Sequence, residues 1–263
     1  MPPFTKFAMV FFLLLSFLSG SPGGARASGS VLIWPVDPVI EQGERAKALW
    51  LENRGNKPAL LQVRIFSWTQ IDGQDHYADQ EEIVGTPPMA RIEPGKRQLV
   101  RLTRVSPTPP GTEKAFRLVI DEVPMQPAET ETGTPGKPVM GVQFQFRYSI
   151  PLFVYGDGLR EKSRPDRGGK VGIDGEPVLA CRVVAQAGQR YLEISNTGPV
   201  HARLTNAHIR QGSGSTVLAE GLFGYVLAGT SIRRPLPQGV RGGAVLAATV
   251  NADPQERVMQ ILE

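Results

Sequence analysis

Cysteine is almost absent from this chain of 263 residues: Cys181 stands alone. One cysteine closes no intrachain disulfide, so a hydrophobic core has to hold the fold. Cys181 itself lies in an apolar, strand-like run and reads as a buried structural thiol. Histidine is scarce as well. His76, His201 and His208 have no helical metal-ligand spacing, so they read as surface or strand residues and no metal is assigned. Gly212-Ser213-Gly214-Ser215 lacks the lysine and following helix of a phosphate loop, and reads as a hairpin turn. No serine stands in a nucleophile elbow. Asp72 and Asp75 flank Gly73 as ordinary turn composition. The sequence therefore offers no cofactor site and no sign of an enzyme.

Strong charge and long apolar runs are also lacking. The formal net charge is +4, and only +2 once Lys6 and Arg26 leave with a signal segment. That is little attraction for nucleic acid or an anionic membrane. The apolar run Phe7–Leu18 follows Lys6 and precedes Ala25-Arg26-Ala27, a small-x-small cleavage site. Residues 1–27 read as a secretory signal, cut before Ser28. Their apolar core is too short to span a bilayer, so export without membrane insertion is expected.

What remains is rich in β pattern. Ser30–Trp34, Ala46–Asn53, Ala59–Trp68, Lys96–Val105 and Lys114–Val123 alternate or run apolar between Gly, Pro, Asn and Asp. A second set holds Val178–Val184, Arg190–Ser195, Ala202–His208, Gly224–Leu227 and Ala244–Val250. No stretch has a sustained helical period. The pattern predicts an all-β protein of two tandem Ig-like β-sandwich domains, 28–155 and 171–263, joined by a charged, glycine-rich linker over 156–170. The halves echo each other at Asn53-Arg54-Gly55 and Asn196-Thr197-Gly198. There Asn-x-Gly is expected to turn the chain, since both residues tolerate left-handed backbone angles.

One strand stands apart. Val142, Phe144, Phe146, Tyr148, Ile150, Leu152 and Val154 alternate with Gln143, Gln145, Arg147, Ser149 and Pro151. This is a β period of unusual length. It follows Pro124–Gly141, which has little to bury. A long apolar strand in such a setting is an aggregation hazard unless it pairs with another chain.

The segment Gly85-Thr86-Pro87-Pro88-Met89-Ala90-Arg91-Ile92-Glu93-Pro94-Gly95, with the arginine-bearing apolar strand after it, resembles the periplasmic pilus chaperones of chaperone–usher systems. Phe116–Pro124 is similar to that family's sixth strand, Val142–Val154 to its seventh, and Tyr225–Ser231 to a segment of its second domain. The resemblance implies a boomerang of two Ig-like domains in the periplasm. It implies pilus or fimbrial subunits and an outer-membrane usher as partners, and donor-strand complementation as the mode of binding. The donated residues would be Val142, Phe144 and Phe146. Burying them contributes about 5–8 kcal/mol gross, at about 1.5–3 kcal/mol each.

Better-known members hold the subunit's C-terminal carboxylate with an arginine on the first strand and a lysine on the seventh. Pro38 and Pro151 occupy those positions here. That departure looks like the archaic-type branch and moves the expected carboxylate anchor to Arg117 and Arg147, since an arginine can grip a carboxylate bidentately. Arg101 is a third candidate, read as structural. Two rival readings remain open at this point: an exported Ig-like adhesion or structural module without strand donation, and an exported enzyme with a dispersed site.

Overall fold

The computed structural model describes residues 31–125, 145–161 and 173–263, and every element in them is a β-strand. The expected signal segment lies outside those residues, as do Val142 and Phe144. The first unit carries β1 (Val31–Trp34), β2 (Val39–Ile40), β3 (Ala46–Asn53), β4 (Ala59–Ile71), β5 (Gln74–Ala78), β6 (Ile83–Thr86), β7 (Met89–Ile92), β8 (Arg97–Arg104), β9 (Glu113–Val123) and β10 (Arg147–Tyr155). One sheet runs β1-β3-β8-β6, the other β2-β10-β9-β4-β5, with β7 also on β4. Side chains alternate between the faces of a strand. Leu49, Leu51, Leu61, Leu102, Phe116, Leu118, Ile120 and Leu152 therefore converge between the sheets and are fully buried. On the outer face of the first sheet Trp34 stacks on Trp50 at 6.0 Å.

Two short strands, β11 (Leu159–Glu161) and β12 (Ile173–Gly175), pair in parallel at the passage between the units. Leu159 falls in the expected linker yet is buried, at the junction of the units. The second unit holds β13 (Leu179–Gln186), β14 (Gln189–Asn196), β15 (Ala202–Gln211), β16 (Gly214–Val217), β17 (Leu222–Val226), β18 (Ser231–Pro235), β19 (Val245–Val250) and β20 (Glu256–Leu262). Their order is β16-β15-β19-β20-β13-β14-β18, with β17 on β15. Leu192, Ile194, Leu204, Val226, Ile232, Leu246 and Val250 fill this core. Cys181 is buried among them with its Sγ 4.0 Å from Met259 Sδ, and burial pushes its thiol up to about 12. It is a neutral, inert packing group.

The Asn-x-Gly echo is structural, by a different mechanism from the expected one. None of Asn53, Gly55, Asn196 and Gly198 is among the positive-φ residues. The asparagine side chains do the turning. Asn53 Oδ1 accepts from Gly55 N at 2.8 Å, while its amide donates to Lys57 O and Ile92 O. Asn196 Oδ1 accepts from Gly198 N at 2.9 Å, while its amide donates to Val200 O and Val226 O. Each buried amide is thus satisfied by the turn it builds.

Glu193 on β14 ties strands of the second unit together. Its buried carboxylate accepts from Arg233 Nε at 2.7 Å and Arg182 Nε at 2.7 Å. Burial alone pushes this carboxyl up, but the hydrogen bonds from Arg233 and Arg182 outweigh it and leave it below the usual range. A depressed folded value stabilises the fold above the unfolded value of about 4.3, and that stability drains away as pH falls through the folded value. Glu193→Gln is therefore expected to cost about 1–3 kcal/mol at neutral pH. It should also flatten the loss of melting temperature below about pH 4.3. Parallel melting curves from pH 7 to pH 3 check this, and identical acid responses would contradict it.

Candidate functional site

β10 has one closed edge and one open edge. It pairs with β9 along its whole length, from Arg147↔Asp121 to Tyr155↔Glu113. On the other side only Phe153 and Val154 meet β2. Phe146 O accepts from Glu122 N on β9, whereas Phe153 N donates away from β9, to Pro38 O. Backbone groups alternate sides along a strand. Arg147, Ser149 and Pro151 thus turn theirs to the open edge, where no described strand pairs with them. Proline is tolerated within a strand where its missing N–H faces no partner. Pro151 meets that condition because its nitrogen points away from β9.

Opposite Pro151 on β9 is Arg117. Even-numbered residues of β9 fill the core, so Arg117 emerges on the outer face of the sheet. Its guanidinium carbon lies 3.8 Å from the centre of the Trp68 ring, 5.7 Å from Tyr77 and 6.0 Å from Tyr225 of the second unit. Cation–π attraction holds such a group flat against an indole. Arg117 Nε is buried without a hydrogen-bond partner among the described residues. A buried, unsatisfied donor on a cation is a site in want of an anion. The Tyr77 hydroxyl beside it is pushed up by burial, pulled back by Arg117 and raised again by Asp75, and its net shift is upward.

Arg147 is placed differently. It is exposed and pairs with Asp121, which also receives Arg64 at 2.6 Å. Burial raises the Asp121 carboxyl, but the bonds from Arg147 and Arg64 outweigh it, and the net shift is downward. Arg147 lies opposite Asp121, four residues along β9 from Arg117. At about 3.3 Å per residue the two arginines stand about 13 Å apart on one face. They are not brought together. Phe146, the described member of the expected donor residues, is exposed, and its ring lies 6.3 Å from Tyr148. It shares the parity of Tyr148, Ile150 and Leu152 and so continues the core-facing row beyond the end of the sandwich.

The junction of the units frames the arginine. Trp68, Phe153, Tyr155, Leu159, Val200 and Leu227 form one buried cluster drawn from both. His201 stacks on Phe153 at 3.5 Å, and its Nδ1 lies 2.7 Å from the buried Glu113 carboxylate. The hairpin tip at Gly73, with φ of 79°, accepts a bond from Arg233 N and has no room for a Cβ against that side chain. Sequence reasoning missed Trp68, Tyr77, Tyr225, Glu113 and His201. One signal was available: Phe66 and Trp68 share the parity of the charged Arg64, so two aromatics stand on a face that the pattern gives to solvent.

Comparison with known proteins identifies the family and the fold. The family model for the N-terminal domain of PapD, a pili and flagellar-assembly chaperone, matches residues 35–160. No curated protein sequence matches the chain. The solved complex of CsuC with the tip subunit CsuE, from archaic chaperone-usher Csu pili of Acinetobacter baumannii, matches at 32% identity and a TM-score of 0.69, covering 89% of this chain and 98% of that one. The Pseudomonas aeruginosa CupB2 chaperone matches at 19% identity and a TM-score of 0.54, over 88% of this chain and 100% of that one. The YadV chaperone matches at 18% and 0.59, over 88% and 98%. At such identities the last two speak for the fold alone. The match to CsuC makes the chain a pilus-assembly chaperone, a member of a non-enzymatic family. The chain belongs to the PapD-like periplasmic pilus chaperones of the chaperone–usher pathway.

Proposed function

We propose that this chaperone captures a pilus or fimbrial subunit by lending it the open edge of β10, and that Arg117 holds the subunit's C-terminal carboxylate. The observation that carries the reading is the edge of β10 away from β9, which from Arg147 to Pro151 pairs with no described strand, beside a half-buried arginine whose buried Nε has no partner among the described residues. Pro38 and Pro151 stand where better-known members carry their basic pair. Pro38 O bonds to Phe153 N, and Pro151 is the register partner of Arg117. The basic group is thereby supplied one strand over, by β9. One carboxylate does not span both arginines. Arg117 takes the anchor, and Arg147 marks where the lent strand leaves the sheet. Phe146, with Phe144 and Val142 before it in the same parity, fills the subunit's groove. The captured subunit then passes to an outer-membrane usher.

The main-chain part of the reading is tested by Ser149→Pro. It removes a donor from the open edge and spares the bonds to β9. A lost rung costs about 1–3 kcal/mol, so subunit recovery on co-expression falls roughly ten- to a hundred-fold. The melting temperature of the free chaperone stays within a few degrees. Undiminished capture by this variant would exclude β10 as the lent edge.

A further inference from the structure

The clasp that joins the two units is also the mount of the cleft arginine. We infer that Gln70 and Asp75 are positioning residues for carboxylate capture, acting on Arg117 through Trp68. This rests on the proposed anchor. The chain of contacts is continuous. Trp68 is 3% exposed, and its ring lies under the Arg117 guanidinium at 3.8 Å. Its indole Nε1 donates to Asp75 Oδ1 at 2.9 Å. Gln70 Nε2 donates to the same oxygen at 2.9 Å and to Tyr225 O, in the second unit, at 2.9 Å. Gln70 Oε1 accepts from Leu227 N at 2.9 Å and Thr230 Oγ1 at 2.6 Å. A primary amide has two donor hydrogens and two acceptor lone pairs, and here all four are used.

The geometry assigns each residue a task. Gln70 fixes the second unit against β4, which sets the Tyr225 ring 5.5 Å from Trp68 and nearly perpendicular to it. Asp75 fixes the rotation of the indole, because only one orientation keeps Nε1 on its carboxylate. An arginine on a flexible stem loses side-chain entropy whenever it is held in one pose. Here the platform holds it before any carboxylate arrives, and preorganisation of this kind improves affinity by removing an ordering cost. The anchor is then a property of both units together: β9 supplies the cation, β4 and β5 the platform and its lock, and β17 the third wall.

The test uses the full mature chain and a peptide copying the C-terminal strand of a captured subunit, made once with a free carboxylate and once with a terminal amide. Wild type is expected to bind the free acid at least about ten-fold more tightly than the amide. Gln70→Leu and Asp75→Ala should bring that ratio down toward one while leaving affinity for the amide within about two-fold. Asp75→Asn, which keeps an oxygen acceptor for both donors, should restore most of it. Asp75 lies on the exposed edge strand β5, so its variants report even if Gln70→Leu does not fold. Wild type that fails to distinguish the two peptides overturns the anchor itself, and this inference with it. Wild type that discriminates, with both variants discriminating as well, overturns the positioning roles alone. An equal loss for acid and amide does the same, since it is what mere structural glue predicts.

Discussion

Arg117→Ala is expected to abolish recovery of a co-expressed subunit while the chaperone stays folded. Removing one partner of a desolvated, hydrogen-bonded charge pair costs about 2–5 kcal/mol, which weakens binding by roughly thirty-fold to several thousand-fold. Stability moves little because two effects oppose. The variant loses the cation–π contact with Trp68, worth about 0.5–2 kcal/mol. It also removes a buried Nε that has no partner among the described residues, and such a donor costs about 1–3 kcal/mol. Arg117→Lys should recover only part of the binding, since an ammonium keeps the charge but not the planar fork. Arg147→Ala should matter far less, as an exposed pair such as Arg147–Asp121 contributes about 0.2–1 kcal/mol. Co-purification beside thermal melting reads all three. Full recovery by Arg117→Ala would remove this residue from the anchor.

Phe146→Asp produces the second large effect and separates binding from folding just as sharply. Phe146 is 38% exposed in the free protein, so an exposed substitution there changes stability by about 0.5 kcal/mol or less. In the proposed complex the same position would enter an apolar groove of the subunit. The variant loses about 1.5–3 kcal/mol of aromatic burial and adds the desolvation of a carboxylate, which costs several kcal/mol more. Together these exceed the energy that distinguishes a recoverable complex from none. A variant that melts like wild type yet co-purifies with no subunit is the expected result. One that still co-purifies would place the donated residues elsewhere.

Much of this architecture is legible before any coordinates. The run Ala46–Asn53, set off by its apolar pattern and flanking turn residues, coincides with β3, and Lys114–Val123 falls one residue short of β9. Apolar alternation marks strands that bury a face. It is silent on β5, Gln74–Ala78, which is exposed throughout and exists because a tight turn at Asp72-Gly73 folds it back on β4. Pro38 and Pro151 are legible as departures from the family's basic pair, while the register that sets Arg117 across from Pro151 emerges only from the fold. The mount of that arginine was not legible. Trp68, Asp75 and Gln70 are close in sequence, but Tyr225 and Thr230 meet them across more than a hundred residues. Hydrogen bonds between the two units leave no periodicity to read. The same holds for Glu113 and His201, each an ordinary polar residue until the units close on them.

The indole beneath the cleft arginine gives the molecule an optical handle. Of three tryptophans, Trp34 and Trp50 stack on each other in the opposite sheet, and Trp68 alone touches the guanidinium. A carboxylate arriving on that cation alters the electric field across one ring system and leaves the other pair dark to the event. Intrinsic emission, corrected by a Trp68→Phe variant, would then follow occupancy of the cleft in real time and without a label.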